Sequence, residues 1–177
     1  MLRSFRERTG PAVPKRHPEF ERLVLPHLDA AYNVARWLAG DPTAADDIVQ
    51  EAMLRALRYH QGLRGDAKPW LLRIVRNVFY ARLDARRRAG EVPLDGIGLD
   101  RLPGATGTPE TDLDQSQRSQ ALDRAIAGLP EELRECLVLR ELEEMTYKEI
   151  AEIVEVPIGT VMSRLFRARQ LMTGAAL

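Results

Sequence analysis

Apolar residues recur every three or four positions over most of the chain, and nowhere do they alternate as a half-buried strand requires. Phe20, Leu23, Val24, Leu28, Ala31, Val34, Ala35 and Leu38 fall on one helical face, with a kink or break expected at Pro26 and a stop at Gly40. Asp41-Pro42 supplies an N-cap and a proline at the first helical position, and Ala45, Ile48, Val49, Ala52, Met53, Ala56 and Leu57 form the next apolar face. After a loop over Gln61 to Ala67, Pro69 opens a third helix that buries Leu71, Leu72, Ile74, Val75, Val78, Phe79 and Leu83 and ends in Arg86, Arg87 and Arg88. Further along, Leu122, Ala125, Ile126 and Leu129 predict a short amphipathic helix, and Leu133, Cys136, Leu137, Leu139 and Leu142 another. Thr146-Tyr147-Lys148-Glu149 fits a capping box that starts a helix to about Val154; Pro157 breaks it, and a last helix runs from Gly159 to Met172. The pattern predicts an all-α protein.

Ala89 to Asp114 holds five glycines, three prolines and no sustained period, the composition of a linker. The expected organisation is a basic tail over 1–16, a helical domain over 17–88, an acidic linker over 89–114 and a second helical domain over 115–177. A fully extended linker of that length reaches roughly 80–90 Å at ~3.3–3.6 Å per residue, more than two turns of B-DNA at ~34 Å each. The 177 residues are 45% hydrophobic and 29% charged, the balance of a folded protein and not of a disordered one. Apolar runs of only a few residues exclude a membrane helix, and Met1 to Arg16 lacks the apolar core of a secretory signal, so a cytoplasmic location is expected. The single cysteine, Cys136, rules out an intramolecular disulfide or a thiolate metal cluster and sits among apolar neighbours.

Zero net charge conceals an asymmetry. Residues 1–90 carry 17 Lys/Arg against 10 Asp/Glu and residues 91–177 carry 9 against 16. Two basic stretches, Arg64 to Arg88 and Ile158 to Leu177, flank an acidic middle, which suggests a polyanion gripped at two places and something basic met between them.

The last two helices have the proportions of a helix-turn-helix. Val161, Leu165, Ala168 and Met172 fall on one face of the final helix and Thr160, Ser163, Arg164 and Arg167 on another. Guanidinium forks and short hydroxyls are what phosphates and base edges in a major groove demand. A solvated face would mix signs, yet no acid follows Glu155. On the helix opened by Pro69, Arg73, Arg76, Asn77 and Tyr80 share a polar face with Trp70 near its start, the combination of cations, amide and rings that holds single-stranded nucleic acid. Trp70 and Tyr80 could equally cover a small core; the arginines are harder to explain as packing. Asp46, Asp47, Gln50 and Glu51 open the second helix, where the helix dipole accounts for Asp46 and Asp47 and a basic partner is the sharper reading. With His17, His27 and His60 scattered, no metal site is expected, nor any phosphate-cradling loop, nucleophile motif or cofactor.

Three stretches, DDIVQEAMLRAL (Asp46 to Leu57), KPWLLRIVRNVFYARLDARRR (Lys68 to Arg88) and MTYKEIAEIVEVPIGTVMSRLFRAR (Met145 to Arg169), in this order, resemble the small bacterial sigma factors of the extracytoplasmic-function group. The resemblance implies a promoter-specificity subunit without a catalytic site of its own. Its first domain would dock on the clamp helices of the largest subunit of core RNA polymerase through Asp46, Asp47, Gln50 and Glu51. It would open the minus-ten element with Arg64, Trp70, Asn77 and Tyr80 near bases and Arg73, Arg76, Arg86, Arg87 and Arg88 near phosphates. The second domain would read the minus-thirty-five element of promoter DNA through Thr160, Ser163, Arg164 and Arg167 and bind the flap of the second-largest subunit. Such factors are commonly held by an anti-sigma partner. Two other readings compete: an activator touching DNA only through its C-terminal helix-turn-helix, which would need an N-terminal sensor domain, normally with strands, and a helical nucleic-acid enzyme, which would need a carboxylate or histidine cluster.

Overall fold

The computed structural model describes residues 17–91 and 113–175; the N-terminal tail and linker residues 92–112 lie outside the described residues. These form eight α-helices and two 3-10 turns, with no strand among the described residues. Pro26 divides the first apolar stretch into three pieces: α1 (Pro18–Leu23), a 3-10 turn (Leu25–His27) and α2 (Leu28–Ala39). A proline inside a helix removes one amide donor and collides with the preceding turn, so a break replaces a kink. Gly40 ends α2 in the left-handed conformation at φ 67°, its N–H donating to the Arg36 carbonyl at 2.9 Å. In α3 (Pro42–Tyr59) Asp41 is the N-cap, its carboxylate accepting from the Ala44 N–H at 2.9 Å. A second 3-10 turn (His60–Gly62) leads into α4 (Ala67–Arg88), which starts two residues before Pro69. His60 is a satisfied core histidine: its Nδ1–H donates to the Leu57 carbonyl at 2.7 Å and its ring meets Phe20 edge-on at 5.6 Å.

Helix α5 (Leu113–Ala127) begins earlier than its apolar pattern, which starts only at Leu122. After Pro130 come α6 (Glu131–Glu141), α7 (Tyr147–Val154) and α8 (Ile158–Ala175). Helices α2, α3 and α4 pack around Leu38, Leu71, Leu72 and Val75, and α6, α7 and α8 around Leu139, Ile150, Ile153 and Leu165, all essentially without exposed surface. Each such side chain contributes about 1.5–3 kcal/mol of burial. The two helical groups do not stand apart as a tethered pair would. Helix α4 lies against α7 and α2 against α6, so the acidic middle of the chain rests on its basic first half.

The helix-turn-helix depends on the capping box at α7. Thr146 Oγ1 accepts from the Glu149 N–H at 3.2 Å, and Glu149 Oε2 accepts from the Thr146 N–H and hydroxyl, each at 2.7 Å. These bonds, the hydroxyl first and then the backbone, hold the Glu149 carboxyl below its ordinary pKa. A carboxylate depressed in the folded state contributes stability above its unfolded pKa and loses it as pH falls through the folded value. Thr146→Ala is therefore expected to destabilise the fold by about 1 kcal/mol, within ~0.5–2, near neutral pH. In chemical denaturation, the gap from the natural sequence should narrow in acid.

Candidate nucleic-acid interface

Successive polar positions of α4 three or four residues apart share one face because the helix turns every 3.6 residues. Arg73, Arg76, Asn77, Tyr80 and Arg87 thus line one side of a 22-residue rod whose opposite side is buried against α2 and α3. Trp70 is half-buried and packs on the core, as one of the two readings of it expected. Arg64 and Asn77 are exposed.

The other members of this face are occupied. Arg76 Nε donates to Glu135 Oε1, and the Tyr80 hydroxyl donates to Glu135 Oε2 at 2.7 Å. The Arg76 guanidinium stacks over the Tyr80 ring at 4.6 Å, and Tyr80 meets Phe79 edge-on at 5.0 Å. Burial, and then the charge of Glu135, pushes the Tyr80 phenol far above its ordinary pKa, so it remains a donor. Burial likewise raises the Glu135 carboxyl, against the pull of Arg76 and Tyr80. Arg73 pairs with Glu155, and Arg87 donates to Glu131 at 3.2 Å. Near the end of α4, Arg86 lies 3.8 Å from Glu91 and Arg88 donates to the Asp84 carbonyl at 3.2 Å, both exposed.

On α8, Val161, Leu165 and Ala168 are buried against α6 and α7, and the opposite face is presented outward. Ser163 and Arg167 are exposed; Thr160 is half-buried, its carbonyl accepting from the Ser163 hydroxyl at 2.9 Å. Arg164 turns inward, its side chain only 16% exposed, and donates to Glu132 of α6 at 2.9 Å. The sequence reading missed three large apolar side chains beside Ser163 and Arg167: Ile158, Met162 and Phe166 are all exposed. Their spacing of four was the available signal, a second apolar stripe on a helix that needs only one for its core.

Asp46, Asp47 and Gln50 of α3 are exposed, with Leu54 beside them at 64% exposure. Glu51 is held by Arg55 at 2.5 Å and by Arg82 of α4 at 2.9 Å, and Arg82 also lies 3.8 Å from Asp47. Burial alone would raise the Glu51 carboxyl; the hydrogen bonds and charges of Arg82 and Arg55 outweigh it and hold the pKa low. The like-charge pair of Asp47 and Glu51 is thus bridged by a cation from the next helix. No group of three or more metal-ligating side chains and no helix long and apolar enough to cross a membrane occurs among the described residues.

The described residues thus form helices only, two of them rich in arginine on one face, and comparison with known proteins specifies the kind of protein. Residues 23–89 match the family described as Sigma-70 region 2 and residues 119–172 that described as Sigma-70, region 4. The ECF RNA polymerase sigma-E factor of Escherichia coli K12 is 38% identical over 132 residues, covering 70% of this chain and 69% of that one. The ECF RNA polymerase sigma factor SigE of Mycolicibacterium smegmatis is 35% identical over 156 residues, covering 86% of this chain; the aligned part spans 60% of that relative's length. The sigma factor RpoE of Bartonella quintana, solved in complex with the anti-sigma factor NepR, superposes with a TM-score of 0.73 at 26% identity, covering 90% of this chain and 98% of that one. The chain belongs to the extracytoplasmic-function sigma factors of the sigma-70 family.

Cys136, next to Glu135 on α6, is fully buried, and burial followed by the Glu135 charge raises its thiol to about 11. Only the thiolate attacks. A disulfide reagent that titrates exposed thiols at mildly alkaline pH should leave the native chain unmodified over minutes and react at once after denaturation; prompt reaction of the native chain would show that α6 opens readily.

Proposed function

We propose that this chain directs core RNA polymerase to promoters and helps to open them, acting as a specificity subunit. The observation that carries the reading is the matched order of a region-two stretch and a region-four stretch, each containing a basic helix face. In this reading the first domain spans 17–88 and the second 115–177, joined by a linker long enough to serve two promoter elements. Helix α4, with the loop before it, engages the minus-ten element through Arg64, Trp70, Asn77 and Tyr80, while Arg73, Arg76 and Arg86 to Arg88 meet phosphates. Helix α8 enters the major groove of the minus-thirty-five element. Because Arg164 is tied to Glu132, the reading residues on α8 are Ser163 and Arg167, with Met162 and Phe166 beside them for apolar base edges such as a thymine methyl.

The acidic start of α3, Asp46, Asp47 and Gln50 with the exposed Leu54, is offered to the clamp helices of the largest subunit, and region four to the flap of the second-largest. An anti-sigma factor as a regulatory partner is supported by the fold shared with RpoE, which was solved bound to NepR. The chain acts in the cytoplasm, where its polymerase is.

Melting needs no hydrolysis. Extruding a base costs a few kcal/mol, and stacking on an aromatic returns about 1–3 kcal/mol per base, so a few pockets backed by the polymerase suffice.

Multiple-round transcription by purified core polymerase, with and without this chain on a library of promoter templates, should show initiation at defined start sites only in its presence. On a template so identified, Trp70→Ala and Asn77→Ala should reduce permanganate reactivity of the bubble more than they reduce closed-complex binding; normal bubbles in both would remove the melting role. Arg167→Ala should weaken minus-thirty-five binding by about 1–3 kcal/mol with relaxed preference at one base if its contact is bidentate, and uniformly across sequences if it meets phosphate. The same substitution at Arg164 should act chiefly on stability.

A further inference from the structure

The acidic edge of α3 divides in two once its partners are followed. Asp46 and Gln50 are exposed and take no hydrogen bond or ion pair among the described residues. Glu51 is half-buried and has both carboxylate oxygens engaged: Oε1 accepts from Arg55 Nη2 at 2.5 Å, and Oε2 accepts from Arg82 Nε at 3.0 Å and lies 2.9 Å from Arg82 Nη2. The same guanidinium reaches the backbone, with Nη2 donating to the Asp47 carbonyl at 3.3 Å and Nη1 standing 3.8 Å from Asp47 Oδ2. A single side chain of α4 thus spans a full turn of α3.

We propose that Arg82 is a positioning residue for polymerase docking: anchored on Glu51, it fixes the α3 edge against α4, so that Asp46, Asp47, Gln50 and Leu54 meet the polymerase as one rigid set. The inference rests on the reading of that edge as the docking face. Three guanidinium donors occupy most of the lone pairs of Glu51, which leaves little to offer an incoming cation. Glu51 therefore acts through Arg82 and not by touching the polymerase.

Helix geometry explains why this arginine serves. Arg82 follows Tyr80 by two residues, about 200° around an α-helix, so it faces α3 while the Arg76 and Tyr80 side of α4 points elsewhere. A planar guanidinium delivers donors to a carboxylate and to a carbonyl at once, which an ammonium on a flexible stem does poorly. The pair adds little to the fold, because Arg82 is 41% and Glu51 33% exposed and ion pairs that water reaches contribute little stability. Its contribution lies in orientation: groups held in place before an encounter lose less freedom on binding. Charge alone does not account for it. Arg55 and Arg82 set two cations among Asp46, Asp47 and Glu51, which weakens the pull of this edge on a basic partner.

The test exploits the opposite charges of the two partners. The full chain, labelled at its N-terminus, is titrated with purified core RNA polymerase without DNA, and fluorescence anisotropy reads the affinity at fixed salt for Glu51→Gln, Arg82→Met, the double variant and Arg82→Lys. Circular dichroism confirms helicity. Expected is a loss of about three- to tenfold for each of Glu51→Gln and Arg82→Met, with the double variant within about twofold of either, since partners in one contact are not additive. Arg82→Lys should recover part of the loss. If Glu51 instead touched the polymerase and Arg82 merely competed for it, Arg82→Met would bind tighter, because it removes a cation from an acidic edge. Tighter or unchanged binding by Arg82→Met, additive losses in the double variant, or a lysine variant no better than the methionine would each overturn the proposal. Should Arg82→Met lose helicity, Glu51→Gln and Arg82→Lys decide: weaker binding in both supports the bracket, and any other pattern removes it. Asp46→Asn and Leu54→Ala test the docking reading separately. Unchanged affinity in both would bring down that reading together with this inference, whereas losses there beside tighter binding by Arg82→Met would refute this inference alone.

Discussion

A carboxylate with almost no exposed surface organises the molecule. Glu135 sits on α6 with its side chain 1% exposed, and removing such a group from water costs several kcal/mol. It is tolerable only because Arg76 and Tyr80 of α4 supply donors to both oxygens, and because the stacked guanidinium and phenol are themselves fixed by the core beneath them. Deleting either donor would leave a buried charge uncompensated, whereas replacing the whole group by apolar residues would cost little. The association of the two helical groups therefore has a specific address and a modest net energy. The surrounding pairs, Arg73 with Glu155 and Arg87 with Glu131, extend that address along α4. Most of these donors line the polar face of α4, so the side chains that the sequence singles out for binding are already committed within the chain.

Much of this was legible in the residues. Helix identities, the Asp41 cap, the Gly40 stop, the Thr146 capping box and burial of Cys136 follow from local rules that need only a few neighbouring residues. Differences arose where the deciding partner is distant in sequence. Pro26 breaks the first stretch, one of the two outcomes its sequence position allowed, whereas α5 begins at Leu113, where the apolar pattern gives no cue. Charge asymmetry announced that an acidic segment would meet a basic one but not that both lie on this chain. Nor could periodicity say which way Arg164 points: it sits at the border of the outward face, and Glu132, in the preceding part of the domain, draws it inward.

The comparisons and the geometry are complementary. Similarity to region two and region four places the two basic helices in a family, while the side chains show what this chain does with its own charges. The RpoE relative matches the described fold across nearly its whole length at a TM-score of 0.73, although only about a quarter of the residues coincide. Apolar periodicity alone can preserve such an arrangement, since cores accept exchange of side chains of similar volume. Ion pairs between distant helices are not constrained in that way.

The turn between α7 and α8 illustrates the point. Glu155 adopts a left-handed backbone that costs a residue bearing a Cβ about 1–2 kcal/mol, while its exposed ion pair with Arg73 returns at most about 1 kcal/mol. Glycine would make the turn more comfortable and simultaneously sever a long-range anchor. A protein engineer selecting for heat resistance at that corner would thus loosen the molecule as a whole: local comfort and global cohesion pull in opposite directions at a single residue.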